Sequence, residues 1–147
     1  MTKRLRIVTW TAAGLFVAFL AAQFASGSRT NPPVETEVPA PPEIRAVLRR
    51  ACYDCHSNET VWPWYSHLAP VSWLMAADVN EGRRHLNFST WNRRSPDRQA
   101  QALQEAWEQI EGGNMPLWYY LPLHSAARLS DADKKLLRGW MQPQAGR

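Results

Sequence analysis

The sequence predicts an all-α protein, in which one small helical domain follows an N-terminal transmembrane helix. An apolar run extends from Ile7 to Phe24 directly after a basic cluster, as in a membrane-spanning helix. Several later stretches place apolar residues at the i, i+3, i+4 and i+7 spacing of an amphipathic helix, and none alternates apolar and polar residues as a half-buried strand would. A length of 147 residues leaves room for one domain and an anchor.

Residues 1–25 have the layout of a membrane anchor or an export signal. Lys3, Arg4 and Arg6 precede the apolar run, and positive charge at that end keeps it in the cytoplasm. The run is long for a cleavable signal, and residues 25–27 are only a weak cleavage site. We therefore expect a single N-terminal span in the inner membrane with the domain in the periplasm, or an exported soluble domain if the segment is cleaved.

The net charge of +4 belongs to the first 30 residues and not to the domain. The basic residues that precede the first acidic residue, Glu35, are Lys3, Arg4, Arg6 and Arg29. Their number equals the net charge, so the rest of the chain is balanced. Because no basic face remains for DNA or RNA, we expect no nucleic-acid partner.

A linker and a helical domain follow. Residues 26–42 contain prolines that cannot continue a helix and that favour extended polyproline geometry, so we expect a spacer here and a domain over residues 43–147. The first predicted helix begins at Glu43 and leads into Cys52, with an apolar stripe of Ile44, Val47, Leu48 and Ala51. A helix over residues 71–86 should be ended or exposed by residues 80–84, and its expected core-facing residues are Val71, Leu74, Met75 and Val79.

Two further helices have local start signals. Ser95 and Pro96 suit the N-cap and the first helical position, and residues 112–113, both glycine, should end this helix. Its expected buried stripe is Leu103, Trp107 and Ile110. Ser130 and Asp133 match a variant of the capping box at the start of the last helix. The apolar residues of that helix are Leu136, Leu137, Trp140 and Met141.

The run from Cys52 to His56 is a C-x-x-C-H motif, which is typical of covalent haem attachment. Each cysteine sulfur can add to one haem vinyl group, and the histidine can ligate iron through Nε2. The alternatives are a disulfide, a redox-active C-x-x-C or part of a zinc site. A zinc site would need a second ligand cluster, and a redox motif would need βαβ flanks, which the sequence does not offer. We predict one covalent haem c on Cys52 and Cys55, with His56 as an iron ligand.

A second axial ligand is needed for six-coordinate iron, and the sequence offers several. Met115 stands before Pro116 in a loop, whereas Met75 and Met141 fit helix cores and Met1 belongs to the export segment. A methionine ligand raises the reduction potential, and a second imidazole leaves it lower. The residues alone favour Met115, with His67, His85 and His124 as rivals.

Two more features have open roles. The aromatic segment of residues 61–70 packs either on a haem edge or as a structural loop. Arg83, Arg84 and His85 could meet haem propionates, although a solvated surface is the ordinary role of such a charged cluster.

The C-x-x-C-H motif, the Gly-x-Met-Pro loop of residues 113–116 and the closing helix together resemble class I cytochromes c. More specifically, the chain resembles the bacterial haem-binding-domain family of small membrane-tethered c-type proteins. The stretches that carry this resemblance are residues 23–24, 31–34, 61–66, 69–71, 78–83, 86–91 and 115–124. The resemblance implies a cytochrome c-like fold, covalent haem c on Cys52 and Cys55, and axial ligation by His56 and Met115. The long aromatic segment after the motif departs from ordinary class I cytochromes c.

The predicted function is single-electron transfer in the periplasm, with redox proteins and the membrane as partners. A His/Met six-coordinate haem changes charge by one with little rearrangement. Neither an acid–base pair nor the open distal pocket of a peroxidase is evident in the sequence, so we do not expect an enzyme. The alternative is a haem-based sensor or a small-ligand (gas) binding protein with a labile sixth ligand.

Overall fold

A computed structural model of the chain describes residues 2–25 and 27–142. Met1, Ser26 at the candidate cleavage site and residues 143–147 at the end of the expected domain lie outside the described residues. The six α-helices of the described part are α1 (Lys3–Phe24), α2 (Pro42–Ala51), α3 (Tyr53–His56), α4 (Val71–His85), α5 (Pro96–Glu111) and α6 (Asp131–Met141). Three short 3-10 turns cover Trp64–His67, Trp91–Arg93 and Ser125–Ala127. No strand occurs among these residues, which confirms the all-α prediction.

The chain divides into two compact units. The first, here the anchor unit, consists of residues 1–29 and 62–78, and the second, here the core unit, consists of residues 30–61 and 79–147. Helix α1 belongs to the anchor unit, while α2, α3, α5 and α6 belong to the core unit.

In the anchor unit, α1 is long and apolar enough to cross a membrane, and none of its residues is buried inside the protein. Two hydrogen bonds tie its C-terminal end to the segment of residues 62–78. The Gln23 side chain accepts from the Ala69 N–H at 3.0 Å, and the Ala25 carbonyl accepts from Trp73 Nε1 at 2.5 Å. The segment of residues 62–78 is thus held directly beside the C-terminal end of α1.

Helix α4 forms where it was predicted, but the buried face differs from the expected one. Val79 is buried as expected, whereas Val71 is 41% and Leu74 49% exposed. The residues buried in the first turns of α4 are small, namely Ser72 and Ala76. The expectation for Val71 and Leu74 was therefore wrong.

Close packing explains why α4 buries its small residues. The chain just after α1 approaches α4 so tightly that a Cβ atom added to Gly27 would lie 2.6 Å from the Ala76 Cβ. A large side chain on that face would collide with this segment. Hydrophobic periodicity predicts the buried face of a helix from the polarity of its residues. It therefore cannot predict a face that is buried because its side chains are small.

The core unit is built from α2, α5 and α6 around one apolar cluster. Its buried residues are Val38, Ala40, Ile44, Val47, Leu48, Tyr53, Leu86, Phe88, Trp91, Ala102, Trp107, Ile110, Leu137 and Met141. Leu103 and Trp140 pack against the cluster while partly exposed, and Leu136 is 44% exposed. Val38 is part of the core, and its N–H donates to the Phe88 carbonyl at 3.1 Å. The second half of the 26–42 segment is therefore fixed to the core unit.

The predicted capping box of α6 is present. Ser130 Oγ accepts from the Asp133 N–H at 3.1 Å, and the Asp133 carboxylate accepts from the Ser130 N–H at 2.8 Å. Arg50 of α2 reaches the same carboxylate at 2.6 Å. The Arg50 guanidinium, with help from Ser130, lowers the pKa of Asp133 from 3.8 to about 2. One carboxylate thus caps α6 and joins it to α2.

Asp133→Asn should lower the free energy of unfolding by about 1–2 kcal/mol, the usual effect of losing a capping interaction together with a charged hydrogen bond. Since folding lowers the pKa of Asp133, its contribution is complete above pH 3.8 and is lost as the pH falls towards 2. Denaturant unfolding at pH 7 and at low pH measures both effects. Asp131→Asn, in the same first turn but outside the capping box, is the matched control. Equal unfolding midpoints for the two variants at pH 7 would contradict the prediction.

Candidate functional site

The C-x-x-C-H motif begins at the end of α2 and continues on a short helix of its own. Helix α2 ends at Ala51, and Cys52 is its C-cap, with a φ of −129° that interrupts the helix. Helix α3 then begins at Tyr53, and the N–H groups of Cys55 and His56 both donate to the Cys52 carbonyl, at 3.2 and 2.9 Å. The helix that was predicted to lead into Cys52 is thus followed by a second, short helix, and the two meet at Cys52. One turn of chain still carries both cysteines and the histidine.

The orientation of His56 is fixed by two backbone carbonyls. Its Nδ1 lies 3.0 Å from the Gly82 carbonyl and 3.0 Å from the Leu86 carbonyl. Because a carbonyl only accepts, Nδ1 must carry the proton, and Nε2 keeps its lone pair. Burial lowers the pKa of His56, which keeps the ring neutral at pH 7. The outcome is a neutral imidazole whose Nε2 suits metal ligation.

Gly82 makes this arrangement possible. A Cβ atom at Gly82 would lie 2.5 Å from the Cys55 carbonyl oxygen, closer than any side chain tolerates. The expectation that residues 80–84 end or expose α4 was wrong at this position, since Gly82 is buried and α4 continues to His85. The glycine lets α4 touch α3, which places the Gly82 and Leu86 carbonyls at the imidazole.

The two cysteines of the chain, both among the described residues, form no disulfide and are partly buried. Burial, with a smaller contribution from Cys55 and against the opposing effect of Arg50, raises the pKa of Cys52 to about 12. Such a thiol stays protonated, unlike the low-pKa nucleophile of a redox-active C-x-x-C. Across residues 2–25 and 27–142, no three His, Cys, Asp or Glu side chains form a group that could hold a metal ion. The raised pKa of Cys52 therefore does not favour the redox alternative.

The loop that carries Met115 is tied to the motif. Tyr120 Oη donates to the Asp54 carboxylate at 2.6 Å, and the His124 ring stacks on Tyr120 with ring centroids 3.7 Å apart. Met115 packs, partly buried, against the core cluster, and so does Cys52. Sequence reasoning did not predict the contact between Asp54 and Tyr120, because a variable position of the motif and a loop tyrosine give no local signal of it.

The charged cluster at the end of α4 has structural and surface roles in the core unit. Arg83 donates to the Ser57 carbonyl at 2.8 Å and to the Thr30 carbonyl at 2.8 Å, so it ties together separate segments of chain. Arg84 and His85 both pair with Glu81, and each is 73% exposed in its side chain. This arrangement matches the solvated-surface interpretation for Arg84 and His85.

The remaining histidines differ in their surroundings. His85 places Nε2 at 2.7 Å from Glu81 Oε1, and His124 places Nδ1 at 3.0 Å from the Tyr120 carbonyl. His67 is exposed at the end of a short 3-10 turn of the anchor unit. Among the predicted site residues, Cys52, Cys55 and His56 thus share one turn. Met115 belongs to the same unit as that turn.

A family model described as a haem-binding domain matches residues 15–143. The match begins inside α1 and includes the C-x-x-C-H motif, Gly82 and the Met115 loop. No curated protein and no solved structure matches the chain. The residues present fit a haem, since they combine two thiols outside any disulfide with a neutral imidazole whose tautomer leaves Nε2 for iron.

Proposed function

This chain belongs to the haem-binding domain family, and we propose that it is an electron carrier that holds one haem c covalently through Cys52 and Cys55. Haem binding follows from the family. The proposal of covalent attachment with His56 as ligand rests on one observation, the pairing of His56 Nδ1 with two backbone carbonyls on the turn that also bears both thiols.

Each residue of the motif has a distinct task in this proposal. Cys52 and Cys55 would form thioether bonds to the vinyl groups, and His56 would ligate iron through Nε2. The bound haem supplies one-electron redox chemistry at its iron. The protein contributes rigidity, because the Gly82 and Leu86 carbonyls prevent the imidazole from turning and the Tyr120–Asp54 hydrogen bond holds the adjacent loop on the motif. A ligand set that moves little between charge states favours rapid electron transfer.

Met115 is the proposed sixth ligand. Its loop is tied to the motif through Tyr120, and its side chain packs against the same cluster as Cys52. Two of the three rival histidines make other contacts, since His85 pairs with Glu81 and His124 stacks on Tyr120. These contacts support methionine ligation, which stabilises ferrous iron and raises the reduction potential.

Met115→Ala should abolish the weak near-infrared methionine-to-iron band of the oxidised protein. The reduction potential should fall by an appreciable part of the ~0.8 V range over which axial ligands tune haem. Absorption spectra and a redox titration measure these effects. Met75→Ala removes a methionine of the anchor unit and should leave both unchanged.

Two results would count against His/Met ligation. A near-infrared band that survives in Met115→Ala would mean that Met115 is not the ligand. A high-spin resting spectrum in the wild type, with prompt carbon monoxide binding after reduction, would favour the gas-binding or sensor alternative.

We place the haem domain in the periplasm, tethered to the inner membrane by α1. The helix is long and apolar enough to span, and basic residues precede it. Partners would then be redox proteins at the membrane or in the periplasm, and the chain itself would not be an enzyme. Protease added to spheroplasts should digest the domain, whereas protection until the cells are lysed would contradict this topology.

A further inference from the structure

We propose that the anchor unit makes a second membrane contact, in which exposed side chains of residues 64–74 enter the headgroup region beside the C-terminal end of α1. This interfacial patch consists of Trp64, Leu68, Val71, Trp73 and Leu74. The inference rests on the proposed membrane insertion of α1. It adds a lipid-binding surface that neither haem binding nor a single transmembrane helix requires.

The interfacial patch is unusually apolar for an exposed surface. Trp64 is 75% exposed and Leu74 49%, and the other three members are each more than 40% exposed. Scattered apolar residues on a surface are ordinary, but several large ones within eleven consecutive positions mark a binding surface. The first turns of α4 bury Ser72 and Ala76, so the large side chains are turned outward.

Hydrogen bonds place the interfacial patch at the level of the membrane surface. The Ala69 N–H donates to Gln23 in the last turn of α1, and Trp73 Nε1 donates to the Ala25 carbonyl directly after α1. The Arg29 side chain reaches the Ser66 carbonyl at 3.2 Å. Because α1 leaves the apolar layer at about Phe24, residues bonded to its end lie at headgroup depth, where tryptophan is enriched.

The composition of the segment fits lipid. Residues 62–78 contain no lysine, arginine or glutamate, and Asp78 at their end is the one residue with a fixed charge. Trp62, Trp64, Tyr65 and Trp73 supply aromatic rings, which combine an apolar body with a polar edge and suit the interface. A second copy or another protein could also cover apolar surface. Lipid is favoured because the end of a transmembrane helix is always surrounded by lipid headgroups.

The test uses the full-length holoprotein in phosphatidylcholine–phosphatidylglycerol vesicles, with one added cysteine that carries a nitroxide. Leu74→Cys and Leu68→Cys probe the interfacial patch. Ala100→Cys, on an exposed position of α5, is the aqueous control, and Val17→Cys in α1 reports membrane insertion. Power saturation compares collisions with oxygen, which concentrates in lipid, and with a water-soluble nickel chelate. The power saturation of each sample is compared with that of the same sample under nitrogen. This comparison removes the contribution of the haem iron to the relaxation of the nitroxide.

We expect a several-fold lower chelate-to-oxygen collision ratio at Leu68→Cys and Leu74→Cys than at Ala100→Cys, with Val17→Cys lower still. The proposal would be overturned if the collision ratios at both patch positions equalled that of Ala100→Cys while Val17→Cys reported lipid. The membrane insertion of α1 would then still stand. Low collision rates with both reagents at the patch would mean that protein covers it, which also overturns the proposal.

Failure of the underlying assignments gives different signals. An aqueous ratio at Val17→Cys would show that α1 is not inserted, and the membrane contact would fall with it. Wild-type protein without an added cysteine should take up no label, and labelling would show that Cys52 and Cys55 are not thioethers.

Discussion

Gly82→Ala should reduce covalent haem loading to near background. The added Cβ would lie 2.5 Å from the Cys55 carbonyl oxygen and 3.1 Å from the Cys55 Cβ. Both contacts are to atoms that cannot rotate away, so α4 must move off α3. That movement withdraws the Gly82 and Leu86 carbonyls from His56 and frees the imidazole to turn. The measurement is haem per polypeptide, by pyridine haemochrome absorbance against protein amount after expression with the maturation machinery.

Gly139→Ala is the matched control for this substitution. Gly139 also lies within a helix, α6, but a Cβ there would meet no atom within 4 Å. Alanine is favoured over glycine in a helix interior, so this variant should load haem normally and gain about 0.5–1 kcal/mol in unfolding free energy. Wild-type loading and an unchanged spectrum in Gly82→Ala would contradict the role assigned to the contact between α4 and α3.

Local signals were enough to predict most of the helices. Helix α5 begins at the Ser95–Pro96 signal, and α6 begins at the Ser130–Asp133 capping box. The apolar stripe of α2 is buried as expected at Ile44, Val47 and Leu48. Each of these signals acts within one or two helical turns. They can therefore be identified without knowing what packs against the helix.

The face of α4 could not be predicted in this way, because tertiary contacts select it. A polar residue, Ser72, is 1% exposed while Leu74 is 49% exposed, which reverses the order that hydrophobicity gives. Gly27 and Ala76 meet at a distance that excludes larger side chains. The small side chains are required by a contact between residues almost fifty positions apart in the sequence. A single sequence does not reveal that two such distant residues are in contact.

The candidate site likewise combines a local sequence signal with tertiary contacts that the sequence does not reveal. The motif of Cys52, Cys55 and His56 is contiguous, so it can be recognised from the sequence alone. The surrounding contacts come from elsewhere in the chain, as carbonyls of α4 and as the hydroxyl of Tyr120. A backbone carbonyl has no sequence signature. Gly82 offered one signal, a glycine inside a helical segment, which is unfavourable there and points to a packing reason.

Cys52→Ala combined with Cys55→Ala should convert bound haem from non-extractable to fully extractable. In acidified acetone the protein unfolds and protonation of His56 breaks ligation, so only covalent bonds can retain the cofactor. Wild-type haem should stay with the precipitated protein, and any haem of the double variant should enter the organic phase. Absorbance of the two fractions measures the partition.

The single variants make this test independent of how well the double variant folds. Cys52→Ala and Cys55→Ala each leave one sulfur, so each should retain its haem in acidified acetone. Their pyridine haemochrome bands should shift to longer wavelength, because one vinyl group stays conjugated with the ring. Haem that leaves the wild-type protein in acetone would refute the thioether bonds. Burial raises the pKa of Cys52 and keeps its free thiol protonated at neutral pH, so we expect thioether formation there to need the maturation machinery. Haem added to purified apoprotein without that machinery should therefore remain extractable.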